Sequence, residues 1–245
     1  MSFLNNISIK HKHFIILCFV IAGLVFTTLA SVFQFQKIAS LSDVLLVKEK
    51  LSVDVLALRK NEKDFLARKQ QKYADEFASN AKNLHSNINK LKTSLTHENL
   101  SIQQAVQLDE LATKYEELFK QVVALQIEIG VDSESGLYGD LRSAVHQIDT
   151  LAKQSADYEI LYYMLTLRRQ EKDFMLRRDP KYLERFNDSI SQFENKLSSS
   201  QPLNIAQMQM SLNKYQTNFI SLFEKESELG LNSKEGLLGE LRGTI

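Results

Sequence analysis

The sequence has few residues that break helices or form turns: no tryptophan, two prolines and eight glycines in 245 residues. Over this length, so few breakers predict a small number of long elements. The abundant residues Leu, Ala, Glu, Lys, Gln and Arg are strong helix formers. The single cysteine, Cys18, excludes an internal disulfide. We therefore predict an all-α protein whose helices are held together by packing alone.

Surplus charge is also missing, because 30 basic residues balance 30 acidic ones. No basic stripe with interleaved aromatics is present, so a nucleic-acid partner is not expected. The chain has no Gly-rich phosphate loop, no GxSxG and no CxxC, and its five histidines show no metal-ligand spacing. We therefore expect no enzyme activity, no cofactor and no metal site, and any electrostatic function must be local.

One long apolar run stands near the N-terminus. No charged residue occurs from His13 to Gln36, and the apolar part, Phe14 to Phe35, matches the roughly 20 residues that a helix needs to cross a bilayer. A cleaved signal peptide would have a shorter apolar region. Lys10 and Lys12 precede the run, which favours a cytoplasmic N-terminus. The prediction is a cytoplasmic segment 1–12, a transmembrane helix 13–36 and an extracytoplasmic region 37–245, which lies in the periplasm if the cell has two membranes.

The region after the span contains an internal repeat. LRKNEKDFLARKQQKYADEF, residues 58–77, returns as LRRQEKDFMLRRDPKYLERF, residues 167–186, at an offset of 109. A second block, residues 114–142, returns as residues 214–242 at an offset of 100. Similarity over two long blocks indicates a duplicated helical unit, with copies at about 37–142 and 143–245.

Helix boundaries follow from the few breakers. Asp179-Pro180 is typical of a helix start, and Gly130 and Gly230 fit positions just after a helix end. Asp132 or Ser133, and Asn232 or Ser233, are the expected caps of the helices that follow. The predicted helices are 12–69, 71–95, 99–129, 133–178, 180–198, 203–229 and 233 onward.

The last helix is predicted to be incomplete, because its counterpart 133–178 is far longer. A bundle that lacks most of one helix would expose the apolar stripes of its neighbours. We expect either that the natural protein continues beyond residue 245 or that a partner chain supplies the missing helix.

The repeated motif places a carboxylate on an apolar helix face. At 100° per residue, Glu62 falls within the stripe that contains Leu58 and Phe65, and Glu171 falls within its counterpart. A carboxylate on a core face is costly unless it is paired. One interpretation is a structural ion pair that fixes helix register. The other is that surplus cations beside the carboxylate bind a small anion, for which the planar fork of arginine is suited.

The candidate ligand-binding cations lie in and near this motif. Two arginines flank the stripe, two lysines lie further toward solvent, and two arginines of the GxLR segments are candidates to reach the carboxylates from a neighbouring helix; they are Arg59, Arg168, Lys63, Lys172, Arg142 and Arg242. The recurring pairs Tyr115/Phe119 and Tyr215/Phe219 have helix-core spacing, and we expect them to pack in the core.

These motifs resemble a known family. LRxxEKDFxxR followed by a tyrosine, and then ELGxxxxxGLxGxLR, is similar to the helical bimodular ligand-binding domain of methyl-accepting chemotaxis proteins. The resemblance covers the anchor and residues 37–245. It implies two stacked helical bundles between membrane spans, a homodimer, and binding of small organic acids such as C4-dicarboxylates or acetate. The matching cations are Arg59, Lys63, Arg168 and Lys172, with Lys60 and Arg169 where the family often carries a second arginine.

The resemblance implies a sensor in a bacterial inner membrane, with its ligand-binding region in the periplasm. Its ligand shifts a helix that reaches through the membrane to a signalling domain, which residues 1–245 do not contain. Two alternatives stay open at this point. The same input domain could serve a sensor histidine kinase or a cyclase, or the chain could be a membrane-anchored structural helical protein that binds a partner chain and no small molecule.

Overall fold

A computed structural model describes residues 9–200, 202 and 204–244, without the side chains of residues 40, 41 and 43. Throughout this part the chain is α-helical, with no strand. The prediction for residues 1–8 lies outside the described residues. The helices are α1 (Ile9–Arg68), α2 (Gln71–His97), α3 (Gln103–Ile129), α4 (Gly136–Gln154), α5 (Tyr158–Arg177), α6 (Lys181–Ser200), α7 (Ile205–Leu229) and α8 (Gly236–Gly243).

The apolar run lies in α1, a continuous helix of 60 residues. Its most apolar window has a mean hydropathy of 2.6 and none of it is buried, so by length and composition this helix can cross a membrane. The hydroxyls of Thr27 and Thr28 donate to the carbonyl of Leu24, and that of Ser31 donates to the carbonyl of Thr27. These three hydroxyls are thus satisfied by the helix itself, as an apolar environment requires.

The predicted helix 133–178 is wrong, because the chain turns at residues 155–157 and forms α4 and α5 instead. Ala156 adopts a left-handed φ of 53°, and the Asp157 carboxylate caps α5 by accepting from the amides of Glu159 and Ile160. The expected caps of α4 and α8 are also wrong: the N-cap residues are Ser135 and Glu235. The ends of α3 and α7 just before Gly130 and Gly230 are confirmed.

Helices α4 to α7 form a closed ring of contacts. The α4 helix packs on α7 and α5 packs on α6, while the pairs α4–α5 and α6–α7 complete the ring. This is the contact pattern of a four-helix bundle. The apolar faces of all four helices point into the centre of this bundle. Examples are Ile148, Met164, Phe193 and Leu212, which are all fully buried.

The chain divides into two compact units. One contains residues 1–55 and 83–108, and its core includes Leu51, Leu84 and Ile88. The other contains residues 56–82 and 109–245, and it holds both copies of the repeated motif.

The internal repeat is visible in the packing of the aromatic rings. In the first copy, Phe77 stacks on Phe119 at 4.0 Å between centroids, and Phe65 meets Phe119 edge to face at 5.7 Å. The corresponding rings of the second copy are 4.1 Å and 5.6 Å apart; they are Phe186 on Phe219 and Phe174 on Phe219. Two copies of one three-ring cluster therefore form the same packing. The prediction that the pairs Tyr115/Phe119 and Tyr215/Phe219 pack in the core is confirmed, because all four side chains are buried.

Glycines make the tight loop between α3 and α4. Gly130 has a φ of +125°, and a Cβ there would lie 2.3 Å from the carbonyl oxygen of Ser135. Gly136 has a φ of +56°, and its Cβ would lie 2.4 Å from the carbonyl oxygen of Glu128. The same two conflicts recur at Gly230 and Gly236. These glycines permit a close approach of backbone segments, and this fixes where α4 begins relative to α3.

Candidate functional site

Each repeated glutamate is held by a tyrosine from the neighbouring helix. The Tyr215 hydroxyl donates to Glu171 Oε2 at 2.6 Å, and the Tyr115 hydroxyl donates to Glu62 Oε2. Glu171 is 2% exposed, whereas Glu62 is half-buried. Burial and then the Glu171 charge raise the pKa of Tyr215 well above its ordinary value, and nearby Arg168 lowers it. The tyrosine therefore stays a hydrogen-bond donor to the buried carboxylate.

The GxLR arginines do not reach these carboxylates, so that expectation is wrong. Arg142 donates to the Ser133 hydroxyl at 3.2 Å and pairs with the exposed Glu134 at 3.2 Å. Arg242 donates to Ser233 at 2.8 Å. Both side chains lie against the loop that precedes their own helix, because they stand one and a half turns into it.

The cation paired with Glu171 is Lys172, the next residue of the same helix, so this ion pair does not fix the register between two helices. Lys172 Nζ lies 2.8 Å from Glu171 Oε1, with the lysine side chain 59% exposed. Among the described residues, Glu62 has no cation within ion-pair distance. Tyr215 and Lys172 together occupy both carboxylate oxygens of Glu171, which leaves Arg168 beside the pair without an ion-pair partner in the described part of the chain.

A pocket of about 580 Å³ opens next to this pair. Its wall brings together three of the predicted ligand-binding cations, Arg142, Arg168 and Lys172, with Glu171. The remaining lining comes from the α1–α2 turn, the loop before α4, and α4 and α5: Lys69, Gly130, Asp132, Ser133, Tyr138, Leu141, Val145, His146 and Met175. Apolar walls with several convergent cations are typical of a site for a small organic anion.

The other predicted cations do not line this pocket. Arg59 and Lys63 are exposed on α1, and Arg242 is exposed on α8. Arg59 is close enough to Tyr115 to lower the pKa of that hydroxyl, which burial and Glu62 raise above its ordinary range. The structure therefore assembles a cationic pocket from residues of both copies.

Sequence reasoning missed a polar junction beside the pocket. The buried Glu226, 2% exposed, accepts from the Tyr138 hydroxyl at one carboxylate oxygen and from Arg178 at the other. Lys69 Nζ lies 5.5 Å from the centroid of the Tyr138 ring. Burial and then the charge of Arg178 lower the pKa of Lys69. Lys69 and Arg178 thus flank Tyr138 and Glu226.

A signal for this junction exists in the repeat. Lys69 and Arg178 are equivalent at the offset of 109, and both adopt left-handed φ angles, 51° and 52°. Each is the residue directly after a long helix. Aligning the two copies would have shown a cation at this position in both. The alignment could not have shown which side chains surround that cation in the fold.

Comparison of the chain with protein-family models, with characterised proteins and with solved structures finds no match. The resemblance to chemotaxis-receptor sensor domains therefore stays a prediction, and the chain is assigned to no family.

Proposed function

We propose that this chain is the sensory region of a membrane-anchored receptor of the chemotaxis type, and that it binds a small organic anion in the pocket between α4 and α5. The observation that supports it is that Arg168 has no ion-pair partner in the described part of the chain. The buried Glu171 beside it is already satisfied by Tyr215 and Lys172, so the guanidinium of Arg168 is available to a ligand.

The pocket wall suits a carboxylate. Arg168 offers a planar pair of donors that matches a carboxylate in bidentate geometry. Arg142 and Lys172 add positive charge to the same wall, while Leu141 and Val145 supply apolar surface for a short carbon chain. An amine would meet like charges on this wall, so anions are preferred.

Signalling would follow by a population shift. A ligand that contacts α4 and α5 together stabilises one packing of the bundle, and it shifts the equilibrium by its difference in affinity for the two packings. In this proposal α1 anchors the chain in a bacterial inner membrane, residues after about 36 face the periplasm, and the receptor works as a homodimer. The output is a chemotaxis signalling domain, with a histidine kinase or cyclase as the alternative.

The test is a thermal-shift and calorimetric screen of the whole chain, residues 1–245, in detergent micelles. Short carboxylates, amino acids and amines are added in turn. We expect stabilisation by a class of carboxylates and none by amines. Arg168→Gln should abolish the stabilisation, because it removes the fork while keeping a polar side chain of similar reach.

Arg169→Gln is the matched control. Arg169 is the next residue on α5, is exposed and does not line the pocket, so this variant should bind as the unaltered chain does. Binding that persists in Arg168→Gln, or that is lost equally in both variants, would contradict the site.

A second candidate function is the binding of a partner chain without a small ligand. It is favoured by a stripe of exposed apolar side chains on α5: Tyr158 at 89%, Tyr162 at 62%, Leu165 at 54% and Leu176 at 79%. These positions are spaced as one helix face. A screen in which no small molecule shifts the melting temperature would favour this function.

A further inference from the structure

We propose that the side-chain amine of Lys69 is a modification site, which reacts reversibly with dissolved carbon dioxide to form a carbamate. The proposal rests on the position of this amine in the pocket wall, beside an aromatic ring and other cations. It goes beyond the proposed function, because it requires no organic anion in the pocket.

The amine of Lys69 lies at the cavity wall without a counter-charge. Its side chain is half-buried and lines the pocket at the turn between α1 and α2. Its Nζ lies 5.5 Å from the centroid of the Tyr138 ring, and in the described part of the chain no carboxylate is within ion-pair distance. The buried Glu226 uses one oxygen for the Tyr138 hydroxyl and the other for Arg178.

These surroundings favour the neutral amine, which is the nucleophilic form of lysine. The pKa of Lys69 is lowered by burial first and by the positive charge of Arg178 second. Burial takes water away from the ammonium and the neighbouring cation repels it, so both effects act against the charged form. At neutral pH a larger share of Lys69 is therefore unprotonated than of a lysine in open solvent.

The reaction is an addition that needs no oxidant and no leaving group. The lone pair of the neutral nitrogen forms a bond to the carbon of CO₂, one C–O π bond breaks, and its electron pair moves to the oxygen. The nitrogen then gives a proton to water. The product is an anionic carbamate on Nζ, and acid reverses the reaction.

The cations around Lys69 stabilise the product. A carbamate places a negative charge where the ammonium had a positive one, so the repulsion by Arg178 becomes an attraction. Arg168 and Lys172 line the same pocket and add to the positive potential there. A lysine surrounded by water gains neither effect. Dissolved CO₂ would thereby set the sign of the charge at this point of the pocket wall.

The experiment traps the carbamate in the whole chain, residues 1–245, in detergent micelles. The protein is equilibrated near neutral pH with isotopically labelled CO₂ and bicarbonate, and triethyloxonium ion then converts any carbamate into a stable ethyl ester. Peptide mass spectrometry locates the ester and its isotope. The amino terminus also has a low ordinary pKa, and its ester is distinguished by the peptide that carries it.

Lys72 is the matched control within the same sample. Its Nζ lies 4.7 Å from the centroid of the Tyr73 ring, but its side chain is exposed and does not line the pocket. We expect Lys69 to be esterified several times more than Lys72. In guanidinium chloride, which unfolds the chain, the two lysines should be esterified alike. Lys69→Arg, which keeps the charge but removes the amine, should lose this ester alone.

Three results would overturn the proposal. They are equal esters at Lys69 and Lys72 in the folded chain, no ester at Lys69, and an excess at Lys69 that persists in guanidinium chloride, since that excess would not depend on the fold. None of these results bears on the anion site at Arg168, so the proposed function and this modification succeed or fail separately.

Discussion

Replacing the tyrosine that donates to each repeated glutamate by phenylalanine should lower the free energy of unfolding by different amounts in the two copies. Tyr215→Phe leaves the carboxylate of Glu171, 2% exposed, without its neutral donor, and the lost hydroxyl belongs to a side chain that is itself 0% exposed. A hydrogen bond to a charged group contributes about 1.5–3 kcal/mol, so we expect a loss of about 2–3 kcal/mol. Tyr115→Phe should cost only about 0.5–1.5 kcal/mol, because Glu62 is half-buried and water can replace the hydroxyl.

The assay is the thermal midpoint of unfolding, followed by circular dichroism. For a chain of this size, the loss in Tyr215→Phe corresponds to a drop of roughly 4–12 °C. Tyr162→Phe, which removes an exposed hydroxyl, is the control and should leave the midpoint unchanged. Combining Tyr215→Phe with Glu171→Gln in a double-mutant cycle isolates the coupling between the two groups. Equal drops in the two copies, or no coupling in the cycle, would refute the role of the buried hydrogen bond.

Two further predictions concern the loops and the response to alkali. Gly130→Ala should destabilise the fold by about 1–3 kcal/mol, because the backbone has φ +125° and the added Cβ meets a carbonyl oxygen, whereas Gly243→Ala, with open space, should be close to neutral in the same melts. Burial and a neighbouring carboxylate raise the pKa of Tyr115 and Tyr215, so the folded chain holds these protons more tightly than the unfolded chain does. Their contribution to stability is complete below the ordinary tyrosine pKa of about 10 and is lost as the pH rises above it. A titration of tyrosine absorbance should show both hydroxyls ionising only as the chain unfolds; ionisation at the ordinary pKa in the folded chain would contradict this.

Much of the fold follows from local sequence signals. The ends of α3 and α7 are marked by glycines that the backbone requires, and the start of α6 is marked by Asp179-Pro180. The break between α4 and α5 has neither glycine nor proline. There Ala156 takes a left-handed conformation, which no sequence pattern predicts for alanine. Asp157 caps the start of α5, but an aspartate alone does not indicate that a helix must end just before it.

The sequence predicted some of the residues that line the pocket, but not the contacts between them. Helical periodicity placed Glu171 on a buried face and Arg168 at its edge, because both depend only on position along one helix. The partner of Glu171 is a tyrosine 44 residues away, and periodicity does not indicate which neighbouring side chain meets a given face. The same reason hides Lys69, which reaches the pocket only through the packing of one copy of the repeat beside the other.

The two copies of the three-ring cluster agree to within 0.1 Å in the distances between ring centroids, whereas the residues around the pocket have diverged. Tyr138 corresponds to Leu238 at the offset of 100, and Glu226 corresponds to Gln126. Duplication has thus separated what the chain must keep from what it is free to alter. If the pocket binds as proposed, a substitution at its wall alters recognition while the ring packing stays the same, and each copy can then acquire its own chemistry by single substitutions.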